Sequence, residues 1–124
     1  MNSARKKVII VDDDRDTREM LQVALELEGY ETRLAANGLR LISTLHADRP
    51  DLVLLDVMMS WIDGFELCRS LKRNEAFTAL PVIIISGKKL DEDVREGYDA
   101  GCSDYFGKPL DMDRLLLRIR ELID

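Results

Sequence analysis

The sequence contains very few of the residues on which zinc sites and nucleophilic triads depend. Its 124 residues include one histidine, His46, and two cysteines, Cys68 and Cys102. A structural zinc site needs about four such ligands, and a Ser/His/Asp triad needs a histidine beside its nucleophile. The cysteines lack the CxxC spacing of metal and redox motifs, so we expect two free, reduced thiols.

The sequence also lacks any long apolar run and any excess of positive charge. A membrane-spanning helix needs about 20 apolar residues, and a secretion signal needs an apolar core, which the N-terminal segment MNSARKK does not provide. The formal net charge of −6 disfavours a surface for nucleic acid. We therefore expect a cytoplasmic protein that binds neither membranes nor nucleic acid directly.

Apolar residues make up 46% of the chain, which is enough to fill one hydrophobic core. Short, nearly continuous apolar runs alternate with longer amphipathic segments, and continuous runs are typical of strands covered on both faces. Strands are predicted at 8–11, 32–35, 52–55, 82–85 and 104–106. Helices are predicted at 15–28, 39–46, 63–73, 91–98 and 111–123. This alternation predicts a single α/β domain, residues 1–124, with a parallel sheet between helical layers.

Charged and hydroxyl side chains follow the strands at the ends where ligands bind in open α/β sheets. In chain order they are Asp12, Asp13 and Asp14, then Asp56, then Ser86, and finally Lys108 before Pro109. Because parallel strands end at one edge, folding should gather these groups, and neighbouring carboxylates would repel one another. A hard divalent cation such as Mg²⁺, or Mn²⁺, offsets that repulsion because it favours oxygen ligands.

A cation, an ammonium and a hydroxyl are together the groups that bind the oxygens of a phosphoryl group. An aspartate can itself attack phosphorus and form an aspartyl phosphate. We interpret Asp56 as this acceptor because it stands alone, whereas the pair Asp12 and Asp13 is better placed to hold the metal. Lys108 and Ser86 would then contact the phosphoryl oxygens.

At these positions the sequence resembles a known family, the receiver domain of bacterial two-component response regulators. The resemblance is carried by VDDD at 11–14, PDLVLLDVMM at 50–59, DG at 63–64, VIIISG at 82–87 and GYDAGCSDYFGKPLD at 97–111. It covers almost the whole chain and implies a flavodoxin-like, doubly wound sheet with strand order 2-1-3-4-5. It also implies a phosphorylation-controlled switch that acts on no separate substrate and carries only slow autodephosphorylation.

The resemblance implies a role for each acidic residue of the predicted site. Asp56 would accept the phosphoryl group from a sensor histidine kinase or a histidine phosphotransfer protein. Asp13, Asp56 and the backbone carbonyl of Met58 would bind Mg²⁺ directly, and Asp12 would hold metal-bound water.

Further residues would respond to phosphorylation. The resemblance implies that Lys108 pairs with the phosphate, that Ser86 swings toward it, and that Tyr105 rotates inward. That rotation would reshape the face of the fourth helix, fifth strand and fifth helix, which an output domain, an effector or a second copy would contact. The bond before Pro109 is expected to be cis. The helix at 91–98 is short, charged and interrupted by a glycine, so we expect it to be the mobile element.

Two other functions fit parts of the pattern. Asp12 and Asp14 match the DxD motif of haloacid-dehalogenase-type phosphatases, although Arg15 replaces the expected glycine and Asp56 would then have no role. A degenerate receiver would bind partners without being phosphorylated.

Asp14 is also a predicted helix cap. Trp61, five residues after Asp56, is interpreted either as packing on nearby apolar surface or as a partner contact.

Overall fold

The computed structural model describes residues 5–59 and 63–124, in which strands and helices alternate along the chain. The strands are β1 (Lys7–Val11), β2 (Glu31–Ala35), β3 (Leu52–Asp56), β4 (Val82–Ser86) and β5 (Asp104–Gly107). The helices are α1 (Arg15–Leu27), α2 (Gly38–Ala47), α3 (Gly64–Arg73), α4 (Asp91–Asp99) and α5 (Met112–Ile123). Trp61, the predicted partner contact, lies outside the described residues.

The five strands form one parallel sheet in the order β2-β1-β3-β4-β5. The chain first moves outward from β1 to β2 and then crosses back to β3 on the other side of β1. This reversal opens a crevice at the carboxyl ends of β1 and β3, where ligands bind in sheets of this kind. The predicted flavodoxin-like order is confirmed.

Both faces of the sheet are covered, which explains the nearly continuous apolar runs of the strands. Successive strand residues point to opposite faces. Ile9 and Val11 therefore lie in a core shared with α2 and α3, while Val8 and Ile10 lie in a second core shared with α1 and α5. Every residue of β3 and of β4 is buried, so their carboxyl ends are held in fixed positions.

Aspartate and asparagine side chains cap four of the helices. Asp14, Asn37, Asp63 and Asp111 each accept a hydrogen bond from a backbone N–H in the first turn of the following helix. Such caps supply partners for N–H groups that a helix cannot bond internally. The predicted role of Asp14 as a cap is therefore confirmed.

The glycine of helix α4, Gly97, has a packing role that the sequence did not predict. Gly97 was interpreted as a weakness of a marginal helix, yet α4 runs to Asp99 and Gly97 is its buried residue. The ring of Tyr105 lies directly against it. The glycine is thus a point of close packing between α4 and β5.

Across the described ranges, every helix is too short or too polar to cross a bilayer.

Candidate phosphoacceptor site

The candidate site lies at the carboxyl edge of the sheet, at the crevice between β1 and β3. Asp56 is the last residue of β3 and is paired in register with Ile85 of β4. Asp12 follows β1 directly, and its backbone N–H donates to the carbonyl of Ala35 at 3.2 Å. Lys108 follows β5, and its N–H donates to the carbonyl of Ser86 at 2.8 Å. The strand ends therefore fix all three side chains on the same edge.

The ammonium of Lys108 joins the two buried carboxylates of the site. Its Nζ donates to Oδ2 of Asp12 at 2.8 Å and to Oδ2 of Asp56 at 3.2 Å. The side chains of Asp12 and Asp56 are 0% and 5% exposed, whereas that of Lys108 is 26% exposed. Ion pairs screened this little by water are strong, because the local dielectric constant is low.

The environment of Asp56 weakens the charged form of its carboxyl group. Burial raises the pKa of Asp56 above its ordinary value, and the nearby charge of Asp12 acts in the same direction. The N–H of Met58, which donates to Oδ1 of Asp56 at 2.8 Å, opposes that increase, and so does Lys108. The charged form of Asp56 is therefore disfavoured overall, even though the ammonium of Lys108 lies beside it.

The opposite shift occurs at the lysine. Burial alone would lower the pKa of Lys108, but the hydrogen bond to Asp12 and the charge of Asp56 outweigh burial, so the net effect raises that pKa. Lys108 consequently keeps its positive charge at neutral pH.

Three carboxylates at this edge fit a divalent cation. Ligand oxygens of Asp12, Asp13 and Asp56 lie within 4.8 Å of one another, and Asp13 is exposed to solvent on the outer side of the group. Oxygen donors at this separation suit Mg²⁺, which prefers carboxylates and retained water molecules. The chemistry of the donor set therefore fits the metal that the sequence predicted.

Asp14 takes no part in that group of carboxylates. Its side chain accepts hydrogen bonds from both the backbone N–H and the hydroxyl of Thr17, at 3.2 and 2.5 Å. Those bonds lower the pKa of Asp14. Because Asp14 is committed to the first turn of α1, the DxD arrangement of a phosphatase is not formed here by Asp12 and Asp14.

The two predicted switch residues are joined through the loop after β4. Ser86 is fully buried, and its Oγ accepts a hydrogen bond from the backbone N–H of Lys88 at 3.0 Å. The hydroxyl of Tyr105 donates to the carbonyl of the same Lys88. Burial raises the pKa of Tyr105. Ser86 and Tyr105 are thus bonded to the backbone N–H and the backbone carbonyl of the same loop residue, Lys88.

Three further contacts support the site and carried no clear signal in the sequence. The guanidinium of Arg18 donates to the backbone carbonyl of Asp12 at 2.6 Å. The ammonium of Lys89 donates to the backbone carbonyl of Lys108 at 2.8 Å. Gly64 lies so close to Val57 that an added Cβ would be 2.3 Å from its Cα. The DG pair at 63–64 is the one sequence feature near any of these contacts. It is consistent with the start of a helix, which needs a cap but not a glycine, so the close approach of Gly64 to Val57 was not predicted.

The Lys108–Pro109 peptide bond is cis, as the resemblance implied. Met58 is held to Asp56 through its N–H, and the predicted role of its carbonyl as a metal ligand stays a prediction. The predicted partner contact at Trp61 falls outside the described residues.

Comparison with known proteins places this arrangement in a family. The response regulator receiver domain model matches residues 8–120. The response regulator MprA of Mycolicibacterium vanbaalenii is 38% identical over 117 residues, which are 94% of this chain and 50% of that protein. The response regulator MprA of Mycobacterium tuberculosis has the same identity and coverage. The chain therefore spans about half the length of the curated relatives it matches.

Solved structures agree with this match. The signal receiver domain of a DNA-binding response regulator from Colwellia psychrerythraea superimposes with a TM-score of 0.90 at 32% identity, covering 94% of this chain and 97% of that one. The chemotaxis protein CheY4 of Vibrio cholerae superimposes with a TM-score of 0.89 at 27% identity, covering 97% of this chain and 100% of that one. Both likenesses cover at least 94% of this chain.

Proposed function

The chain belongs to the response regulator receiver domain family, and on this basis we propose that it is a signalling switch whose phosphoacceptor is Asp56. The observation that carries the proposal is the position of this one side chain. Asp56 is buried at the end of β3, with Lys108 at 3.2 Å and the oxygens of two more aspartates within 4.8 Å. An acceptor carboxylate, a cation and a metal-binding group are thereby gathered at one edge.

In the proposed reaction, a carboxylate oxygen of Asp56 attacks the phosphorus of a phosphohistidine on a sensor histidine kinase or a histidine phosphotransfer protein. A P–O bond forms to Asp56 while the P–N bond of the donor breaks, and the departing imidazole takes up a proton. Phosphoryl transfer of this kind depends mostly on positioning and on neutralising charge. The phosphoryl donor and the partner proteins are proposed and not taken over from the relatives, because the chain matches only about half of the length of those relatives.

Each charged group of the site has a distinct task. Asp12, Asp13, Asp56 and the backbone carbonyl of Met58 would hold Mg²⁺ or Mn²⁺, with Asp12 acting through water. When bound, the cation supplies positive charge to the phosphoryl oxygens. Lys108, which pairs with Asp12 and Asp56 in the unmodified protein, would move its ammonium onto a phosphoryl oxygen, where a charge-assisted hydrogen bond is strongest.

The signal would leave the site through Ser86. If its hydroxyl turns toward the new phosphoryl group, the N–H of Lys88 loses the acceptor that it has at 3.0 Å. The loop before α4 would then change so as to favour the inward position of the Tyr105 ring, in which its hydroxyl donates to the carbonyl of Lys88. The surface of α4, β5 and α5 would transmit this change to an output domain, to an effector or to a second copy of the chain.

The proposal assigns no separate substrate to the protein. Its own aspartyl phosphate would hydrolyse slowly, and neither nucleic acid nor a membrane would contact the domain directly. We place the reaction in the cytoplasm, where ATP-dependent kinases form phosphohistidine. The phosphatase alternative receives no support from the comparisons, and it would leave the buried Asp56 without a task.

A direct test is phosphorylation by a small donor. The protein is incubated with Mg²⁺ and acetyl phosphate, and the intact mass is measured. We expect one phosphoryl addition, which Asp56→Asn abolishes and which removal of Mg²⁺ suppresses. Asp16→Asn, a change at an exposed position in the first turn of α1, is the matched control and should still be modified. Modification that persists in Asp56→Asn would refute the assignment.

A further inference from the structure

Gly97 of α4 lies where any other residue would collide with Tyr105. A Cβ built at this position would be 2.6 Å from Cδ2 and 2.9 Å from Cε2 of the Tyr105 ring, and 3.1 Å from Cδ1 of Ile84. Carbon atoms that are not bonded to each other do not approach this closely, because the optimal separation is about 3.5–4.0 Å. The ring therefore occupies space that is open only because residue 97 has no side chain.

The ring is held in that space from both ends. The side chain is partly buried and packs against the core that contains Ile84, Ala100 and Cys102. Its hydroxyl donates to the carbonyl of Lys88 in the loop before α4. We call the space bounded by Gly97, Ile84 and the Lys88 carbonyl the tyrosine slot.

We infer that Gly97 is a positioning residue for Tyr105: by keeping the tyrosine slot open, it holds the ring inward before any phosphorylation and so strengthens the affinity of the Asp56 site for a phosphoryl group. The inference rests on the proposed function, which joins the phosphorylated state to the inward ring. It adds a determinant in α4, outside the group of side chains that forms the site.

A continuous set of contacts joins the slot to the site. Ile85 is paired in register with Asp56, and Ser86 follows it directly. The Oγ of Ser86 accepts from the N–H of Lys88, whose carbonyl accepts from Tyr105. A change in ring position that alters this segment would therefore also change the affinity of the site for a phosphoryl group.

The direction of the effect follows from which atoms can move. Moving residue 97 away from the ring would require displacing α4 as a whole, whereas the Tyr105 side chain needs only to rotate about two bonds. In Gly97→Ala the ring should leave the slot and lose its bond to Lys88. The Gly97→Ala variant should therefore bind a phosphoryl group less tightly. Returning the Tyr105 ring to the narrowed slot costs free energy, which reduces the net free energy of binding.

The steric part of the inference is tested without any phosphoryl chemistry. The change Gly97→Ala should lower Tm when Tyr105 is present. It should raise Tm in the Tyr105→Ala background, because alanine favours helix over glycine. The close neighbour that remains, Cδ1 of Ile84 at 3.1 Å, is the end of a side chain that can shift slightly. An equal effect in both backgrounds would overturn the inference, and this cycle remains informative if Gly97→Ala alone is unstable.

Ring position is measured directly by fluorine NMR on protein containing fluorotyrosine. The resonance that disappears in Tyr105→Phe identifies the ring. In Gly97→Ala this resonance should move toward that of free fluorotyrosine and should broaden with a soluble paramagnetic agent. Arg95→Ala, an exposed position of the same helix, should leave it unchanged. A ring that stays protected in Gly97→Ala would also overturn the inference.

The coupling to the site is measured as affinity for beryllofluoride, a phosphoryl mimic, with Mg²⁺ present. We expect Gly97→Ala to weaken binding about tenfold, within the ordinary range of couplings between sites, and to have no such effect in the Tyr105→Ala background. A displaced ring with unchanged affinity would overturn the coupling. Failure of the unaltered protein to bind beryllofluoride would instead refute the proposed function and the coupling that rests on it, while the Tm cycle would still decide the steric relation.

Discussion

The ammonium of Lys108 lies 2.8 Å from a carboxylate oxygen of Asp12, although the two residues are 96 positions apart in the chain. Asp12 is fully buried, and the same ammonium also reaches Asp56. The lysine therefore has a structural task in the unmodified protein: it compensates two carboxylates that would otherwise face each other across the crevice. It has to give up part of that task when a phosphoryl group arrives.

Lys108→Met should destabilise the protein, because it leaves the buried Asp12 and Asp56 without their cation. Breaking a fully buried ion pair costs about 3–5 kcal/mol. We expect a smaller loss, about 2 kcal/mol, because the lysine side chain is 26% exposed. Urea unfolding measures the effect, and Lys6→Met at an exposed position is the control. Equal stability of the two variants would contradict the compensating role.

Mg²⁺ should stabilise the folded protein, because the carboxylates of Asp12, Asp13 and Asp56 come together only on folding. At a concentration of one hundred times the Kd, the gain should be about 2.7 kcal/mol. Asp13→Asn should weaken Mg²⁺ binding, whereas Asp16→Asn should not. Thermal unfolding with and without Mg²⁺ provides the measurement. A Tm that does not respond to Mg²⁺ would argue against a metal site here.

Gly64→Ala should be strongly destabilising, because its Cβ would lie 2.3 Å from the Cα of Val57. The atom in the way belongs to the main chain directly after Asp56, so it cannot turn aside. Overpacking of this kind costs about 1–3 kcal/mol, and the acceptor should also be phosphorylated more slowly. Gly87→Ala is the matched control, since its Cβ would meet only Sδ of Met58, at 3.6 Å. Similar losses in both variants would mean that the close approach at Gly64 is not what matters.

The two cysteines should resist alkylation in the native protein. Burial raises the pKa of Cys68 from its ordinary value of 9.0 to about 11 and that of Cys102 to about 12. For Cys68 this shift lowers the thiolate fraction about 100-fold at neutral pH. Iodoacetamide at pH 8 should therefore label both residues rapidly only after urea is added. Rapid labelling without urea would show that the thiols are accessible.

The same thiols predict how stability changes at high pH. Their folded pKa values lie above the unfolded value of 9.0, so the native state keeps protons that the unfolded state releases. Their contribution to the free energy of unfolding is complete below about pH 9 and is lost as the pH rises through about 11 for Cys68 and about 12 for Cys102. The loss should be smaller in a variant with Ser at both positions, measured by urea unfolding between those pH values. It should not vanish, because burial also raises the pKa of Tyr30 and Tyr98 to about 12.

Local patterns were enough to predict the elements but not which of their apolar residues would be covered. In α1, Leu21 and Leu25 are buried, whereas Leu27 is 83% exposed although it is equally apolar. Spacing along a helix defines a stripe, but only the neighbouring strands determine how wide a part of that stripe is covered. Gly97 is a similar case. Its low helix propensity predicted a less stable α4, and only the approach of Tyr105 from β5 shows that it is a packing contact.

The sequence by itself determined the order of strands and helices, the cap of α1, and the set of oxygen and nitrogen groups at the strand ends, because each depends on neighbours along the chain. Tertiary structure alone decided that Lys108 bridges Asp12 and Asp56, that Arg18 holds the Asp12 carbonyl, and that Gly97 accommodates Tyr105. Those contacts join residues that are distant in the chain or depend on how a helix lies against the sheet. Their geometry is set by sheet register and helix packing, which no short stretch of sequence encodes.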